Sequence, residues 1–271
     1  MKQYFEIQPP KILEKYVVRY WVLDVINPTP NESVNKIIPE GLFEIVVNYK
    51  DDYFDKSNNG EKIPKSFVNG PFNKYRIFET KGDIGIFAID FTPVGWHALT
   101  GYEGVEFTEK VIHTSLLNKT IKDFSARLIE ASSNMERVKL CNSFLIKLVR
   151  KQNDFDFRME RVENEIKLNN GNVNIHELSK KHFCSVSKLE RNFKKVIGLT
   201  PKKYAKLMRF RTILDLGLVK DWSDFVVDLG FYDQAHFIKE FKSYIGETPQ
   251  KYFQTKQLRN KPLMPDKRSF D

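Results

Sequence analysis

Two stretches of this 271-residue chain are nearly the same twelve residues: FKKVIGLTPKKY, from Phe193 to Tyr204, and FKSYIGETPQKY, from Phe241 to Tyr252. The Phe, Lys, Ile, Gly, Thr, Pro, Lys and Tyr positions all recur 48 residues later. Part of the repeat is punctuation. Gly198 and Gly246 stand where a helix can end in the left-handed conformation, and Thr200-Pro201 and Thr248-Pro249 can cap and open the next helix. Carried upstream at the same offset, the pattern puts Leu178 on Val226, Phe183 on Phe231, Ser185 on Asp233 and Leu189 on Phe237. Each copy is therefore expected to be a helix, a tight turn and a second helix.

Punctuation does not account for the outer faces. In the second helix of the first copy, Leu189 and Phe193 are four residues apart and form the buried stripe, so Ser187, Glu190, Arg191 and Lys194 point the other way. In the second copy Phe237 and Phe241 are inward, and Ala235, Ile238, Lys239 and Lys242 face out. Ser185 and Asp233 each precede their helix, where a side-chain oxygen can satisfy free backbone N–H groups, and Asn174 is placed to do the same for the helix before. A short helix with one apolar stripe and a basic outer face, reached through a tight turn, is the helix-turn-helix shape that enters the DNA major groove. The pairs Lys180-Lys181, Lys194-Lys195 and Lys202-Lys203 recur beside the two candidate reading helices and suit phosphate contacts.

The net charge of +9 supports this once it is located. Residues 1–150 carry 20 Lys+Arg against 19 Asp+Glu, whereas residues 151–271 carry 24 against 16. A basic C-terminal part suggests an anionic partner, and a near-neutral N-terminal part suggests a different task. The latter, residues 1–150, is expected to fold alone, to bind no DNA, and to self-associate or accept a small molecule.

Residues 1 to about 108 read as strands and turns. YVVRYWVLDV (16–25), GLFEIVVNY (41–49) and DIGIFAIDF (83–91) are rich in Val, Ile, Phe and Tyr and are separated by Asn, Asp, Gly and Pro clusters. They suggest a β-rich barrel or sandwich, with Trp21, Phe43, Val46, Phe87 and Phe91 as core residues or a pocket lining. From about Thr114 the period becomes helical, with Leu140, Phe144, Leu145 and Leu148 as a stripe suited to a core or a dimer seam. Residues 151–158 are the candidate linker, 159–254 the helical domain, and 255–271 a loose tail. Cys141 and Cys184 have no partners at metal-ligand spacing, the five histidines are scattered, and Asp51-Asp52 sits in a polar turn. No metal, cofactor or catalytic motif is expected. No apolar run reaches the ~20 residues of a membrane span and the first residues lack signal-peptide order, so the expected location is the cytoplasm and no membrane partner is expected.

The run from about Asn174 to Phe253 resembles the double helix-turn-helix DNA-binding domain of AraC/XylS transcriptional regulators, and LGFYDQAHFIKEFKSYIGETPQKY (229–252) matches their signature. The resemblance implies that Arg209 and Phe210 belong to a long helix joining the motifs. It also implies that Ser187, Glu190 and Arg191, with Gln234, Ala235, His236 and Lys239, lie at or near base edges. His182-Phe183, Ile213 and Phe253 depart from the family pattern, which usually has a small residue or Gly, Ala, and Arg there. PPKILEKYVVRYWVL, IIPEGLFEIVVNY and FAIDFTPVGWHAL resemble, more loosely, an N-terminal domain of such regulators, implying a sensor or dimerisation role. The expected fold is therefore α+β: a β-rich, barrel-like N-terminal domain with trailing helices, then an all-α domain of two helix-turn-helix motifs on a long helix. The expected function is sequence-specific regulation of transcription through two successive major grooves of double-stranded DNA. Expected partners are a small-molecule effector, a second copy as a homodimer, and RNA polymerase if the protein is an activator. Two other readings stay open, a DNA-binding module fused to a catalytic domain and an architectural protein without sequence preference. The absence of any cysteine before Cys141 weighs against alkyl-transfer repair chemistry.

Overall fold

The computed structural model describes residues 2–151, 157–216, 226 and 230–259. Among the described residues ten strands form two antiparallel sheets. The larger contains β1 (Lys2–Ile7), β2 (Val17–Val25), β4 (Phe43–Asn48), β7 (Ser66–Asn69), β9 (Ile84–Phe91) and β10 (Val111–His113), in the order β1-β2-β9-β4-β7-β10. The smaller contains β3 (Val34–Ile37), β5 (Tyr53–Asp55), β6 (Glu61–Lys62) and β8 (Arg76–Thr80), in the order β3-β8-β5-β6. The sheets do not close on each other, so the β-rich region is an open, layered structure rather than a barrel.

Both faces of the larger sheet are buried, which is why its strands read as nearly continuous apolar runs. One face, with Tyr20, Val22, Phe43, Ile45, Phe87 and Ile89, packs on helices; the other, with Val25, Val46, Ile84 and Ala88, meets the smaller sheet through Tyr53 and Phe78. Phe43, Phe87 and Phe91 are thus core: Phe43 stacks on Trp96 at 5.6 Å, and Phe91 meets the same indole edge-on. Trp21 packs at the margin of the inter-sheet core. The apolar inter-sheet face is interrupted by one polar row across neighbouring strands, in which Asp90 pairs with Arg19 on one side and Glu44 on the other, and Glu44 with Asn69.

Helices begin earlier than the sequence suggested. α1 (Pro93–Thr100) and α2 (Gly104–Phe107) lie inside the stretch read as strands and turns. The signal was Thr92-Pro93: the Gly95 N–H donates to Thr92 Oγ1 at 2.9 Å, with Pro93 at the first helical position. α3 (Lys119–Glu130) and α4 (Asn134–Lys151) follow as expected. In α4 the fully buried line is Val138, Cys141 and Leu145, and Leu140, Phe144 and Leu148 flank it.

The C-terminal half is helical: α5 (Arg158–Leu168), α6 (Ile175–Lys181), α7 (Val186–Ile197), α8 (Pro201–Leu216), α9 (Gln234–Ile245) and α10 (Pro249–Arg259). Of the expected linker, residues 152–156 lie outside the described residues, as do 260–271 of the expected tail; Thr255–Arg259 continue α10 rather than forming loose chain. Apart from Val226, the stretch expected to form the first helix of the second copy also lies outside them. α8 is buried on several sides because Tyr204 packs on Phe193, Phe210 on Phe241 and Tyr244, and Leu207 faces Gly41 of the β-rich half. Phe253, where the family pattern has Arg, is buried against Phe241 and Tyr252, so the departure serves the core.

The halves share a tight contact. A methyl group at Gly104 would meet the Val196 carbonyl oxygen at 2.5 Å, and one at Gly198 would meet Thr108 Oγ1 at 2.7 Å, so here backbone lies directly on backbone. Thr108 Oγ1 donates to the Gly198 carbonyl at 2.8 Å, and Ile38 and Val94 join the core of the helical half.

Candidate nucleic-acid interface

Both candidate reading helices start and stop by the same devices. The Lys188 N–H donates to Ser185 Oγ at 3.3 Å and the His236 N–H to Asp233 Oδ1 at 2.7 Å. Gly198 and Gly246 end α7 and α9 at φ 85° and 84°. Asn174 caps α6, its side chain accepting from the His176 and Glu177 N–H groups.

The turns between the helices are not in step at 48 residues. In the second copy Gly230 takes φ 76° and the Phe231 N–H donates to the Val226 carbonyl. In the first copy the residue at positive φ, 54°, is Phe183, and the Cys184 N–H donates to the Ser179 carbonyl. Up to the turn the structural offset is therefore 47 residues: Ser179 corresponds to Val226, Phe183 to Gly230 and Cys184 to Phe231. The second copy regains step with an extra residue, Tyr232. The expected pairing of Phe183 with Phe231 is corrected accordingly, and burial agrees, since Phe231 is 5% exposed and Phe183 is 96% exposed. A non-glycine residue in the left-handed region costs ~1–2 kcal/mol, only partly offset by glycine's greater unfolded-state entropy. Phe183→Gly is accordingly expected to stabilise the protein by about 1 kcal/mol, read as a melting-temperature rise of ~2–4 °C. A lower melting temperature would show that the exposed ring makes up for its backbone.

Ser187, Glu190, Arg191, Lys194 and Lys195 on α7, and Gln234, Ala235, His236, Lys239 and Lys242 on α9, are all exposed. Leu189, Phe193, Phe237 and Phe241 are buried beneath them. Ile238, expected to face out, is half-buried against the core. Two candidates have protein partners. Lys195 Nζ lies 3.1 Å from Glu103 of the β-rich half, and His236 Nε2 lies 3.3 Å from Glu240 while its Nδ1 accepts from the Tyr232 N–H. The two motifs are joined by α8, 16 residues and about 24 Å long. Arg209 on α8 donates to the Gly230 carbonyl at 2.8 Å and lies over the Phe231 ring, a contact between connecting helix and second turn that sequence spacing gave no means of finding.

Residues 178–255 match a family model described as a helix-turn-helix domain, and residues 5–113 match one described as a domain of unknown function. The chain is a DNA-binding transcription regulator with an AraC-type helix-turn-helix domain. The family is one of regulators rather than enzymes. No curated protein matches the chain. Solved structures similar to it include ToxT from Vibrio cholerae in a P21 crystal form, with 14% identity over 87% of this chain and 97% of that one and a TM-score of 0.46. ToxT from V. cholerae O395 is 12% identical over 94% and 96%, with a TM-score of 0.44. A ToxT structure from strain SCE256 bound to an unsaturated fatty acid is 14% identical over 93% and 94%, with a TM-score of 0.42. At these values no residue role passes from ToxT to the AraC-type domain of this chain. Among the described residues no helix is long and apolar enough to cross a membrane.

Proposed function

We propose that the AraC-type domain reads a bipartite DNA site, with α7 and α9 in two successive major grooves and α8 as the spacer. The observation that carries this reading is the exposure of two basic helix faces with matching caps on a single buried rod. Ser187, Glu190, Arg191, Gln234, Ala235, His236 and Lys239 are assigned to base edges, and Lys194, Lys195 and Lys242 to phosphates. Engaging phosphate with Lys195 requires breaking its pair with Glu103, so DNA binding and the contact between the halves compete at that residue. Residues 1–150 act as a sensor or dimerisation unit joined through 151–158 to 159–254, in the cytoplasm and without an enzymatic activity. Its aromatic core is filled by its own side chains, so effector control, homodimer formation and, in an activator, contact with RNA polymerase are assigned to its surfaces.

Arg191→Ala and Lys239→Ala are expected to weaken specific binding by ~1–3 kcal/mol and each to relax preference at one base position. Lys194→Ala and Lys242→Ala should weaken binding to every sequence and lower the salt slope by about one unit each. Anisotropy titrations on preferred and scrambled duplexes separate the two classes. Unchanged preferred-to-scrambled ratios in Arg191→Ala and Lys239→Ala would refute the assignment of the reading faces.

A further inference from the structure

A cleft of about 640 Å³ opens where the start of α8, the flank of α9 and the β7–β8 loop converge. Its floor includes Leu199, Leu207 and Tyr244, and its walls carry Lys74, Lys202, Lys203, Lys206 and Lys239. Glu240 is the carboxylate in the lining, and it is already engaged, 3.6 Å from Lys206 and 3.3 Å from His236. Lys74, Lys202, Lys203 and Lys239 form no ion pair among the described residues. Four lysines thus line one cleft without an ion-pair partner of their own, against a single carboxylate that is already engaged.

Lys74 is the unexpected member, because it comes from the near-neutral half. Its position is fixed from both sides. The Asn73 N–H donates to Glu109 Oε1 at 2.9 Å, and the Tyr75 N–H donates to the Tyr244 carbonyl, at the end of α9, at 3.1 Å. The Tyr75 ring occupies the space beside Gly246, where a methyl group would meet it at 2.5 Å. Lys36 lies over the same ring at 4.7 Å and pairs with Glu247 at 3.3 Å. Anchoring on both sides fixes the main chain at this lysine, so only its side chain has to be ordered when it takes up an anion.

We propose that this cleft is a phosphate-binding site built by both halves of the protein, with Lys74 donating from the β-rich half and Lys202 and Lys203 from α8. The phosphate belongs either to the DNA backbone between the two reading helices or to a free oligophosphate ligand. Only the first source rests on the DNA reading above.

The test uses the full chain. In the first arm, DNA affinity is measured by anisotropy over a series of KCl concentrations. If backbone phosphate occupies the cleft, Lys74→Ala lowers the slope of log K against log salt by about one unit with the preferred-to-scrambled ratio unchanged, and Lys74→Arg restores it. Lys139→Ala, an exposed lysine on α4, leaves the slope unaltered. In the second arm, tripolyphosphate is titrated by calorimetry. If a free ligand is the source, the wild-type chain saturates at one site and Lys74→Ala weakens it about tenfold, the size of one charge-assisted hydrogen bond. A change in either arm supports the site and names its source; no change in both overturns it. A wild-type chain that binds no DNA would sink the proposed function, while the tripolyphosphate arm would still decide the cleft.

Discussion

Inserting five base pairs between the halves of the bound site should reduce affinity to the level of random duplex, a loss of about 10³-fold or more. Half a turn of DNA rotates the second groove to the far side of the duplex, and α8 cannot follow. Its 16 residues span about 24 Å, and with ~10 Å for the helices packed at its ends the reading helices approach the ~34 Å between successive groove faces. The rod is rigid because its side chains are committed on several sides: Tyr204 and Phe210 are buried in different motifs, and Arg209 holds the second turn at Gly230. A ten-base-pair insertion should also stay weak, since it restores the face but adds a full turn of distance. A flexible tether would tolerate the ten-base-pair insertion. If affinity survives the five-base-pair insertion, the two copies do not read DNA together.

Arg19→Met should destabilise the protein by ~3–5 kcal/mol at neutral pH, the cost of removing one partner from a buried ion pair. Arg19 Nε lies 2.6 Å from Asp90 Oδ2, and its Nη2 lies 2.8 Å from Glu40, whose other oxygen is 3.2 Å from Arg211 on α8. Asp90 and Glu44 are neighbours on adjacent strands. Burial, reinforced for Asp90 by Glu44, pushes both carboxyls above their usual range, and Arg19 opposes the shift. Without Arg19 the folded-state values move further above the unfolded ~3.9 for Asp and ~4.3 for Glu. The folded variant then holds protons that the unfolded chain releases, so its stability is greatest below the unfolded values and is lost as pH rises through the folded ones. Urea midpoints should therefore show the deficit of Arg19→Met shrinking from pH 8 to pH 5, with Arg19→Lys intermediate. A deficit that grows toward pH 5, or one under about 1 kcal/mol, would show that the row is held by other means.

The helical half was largely legible because its signals are local. Caps at Asn174, Ser185 and Asp233, glycine stops at 198 and 246, and four-residue apolar spacing each act within one or two turns. The slip at Phe183 was not legible: the identical segments that follow it pull any alignment into the 48-residue step, and nothing in HFCS announces a phenylalanine in glycine's conformation. In the β-rich half the strand centres were visible as apolar runs. Arg19, Glu44 and Asp90 within those runs resemble the solvent-facing alternation of an edge strand, and only the pairing of β2, β9, β4 and β7 shows that they form one buried row. The reading faces could be proposed from spacing alone. Lys74 could not be placed beside them, because it is over a hundred residues from α9 and reaches it through the anchoring of Tyr75.

The contact of Gly104 with the end of α7 has a mechanical consequence. Where backbone rests on backbone there is no rotamer to slacken, so α2 and α7 move as one body or part entirely. The end of α9 meets the β-rich half through the Tyr75 N–H bond to the Tyr244 carbonyl, the Tyr75 ring beside Gly246 and the Lys36–Glu247 pair. With α8 rigid, the separation of α7 and α9 is a property of the helical half alone, and the sheets grip that unit at two places, the end of α7 and the end of α9.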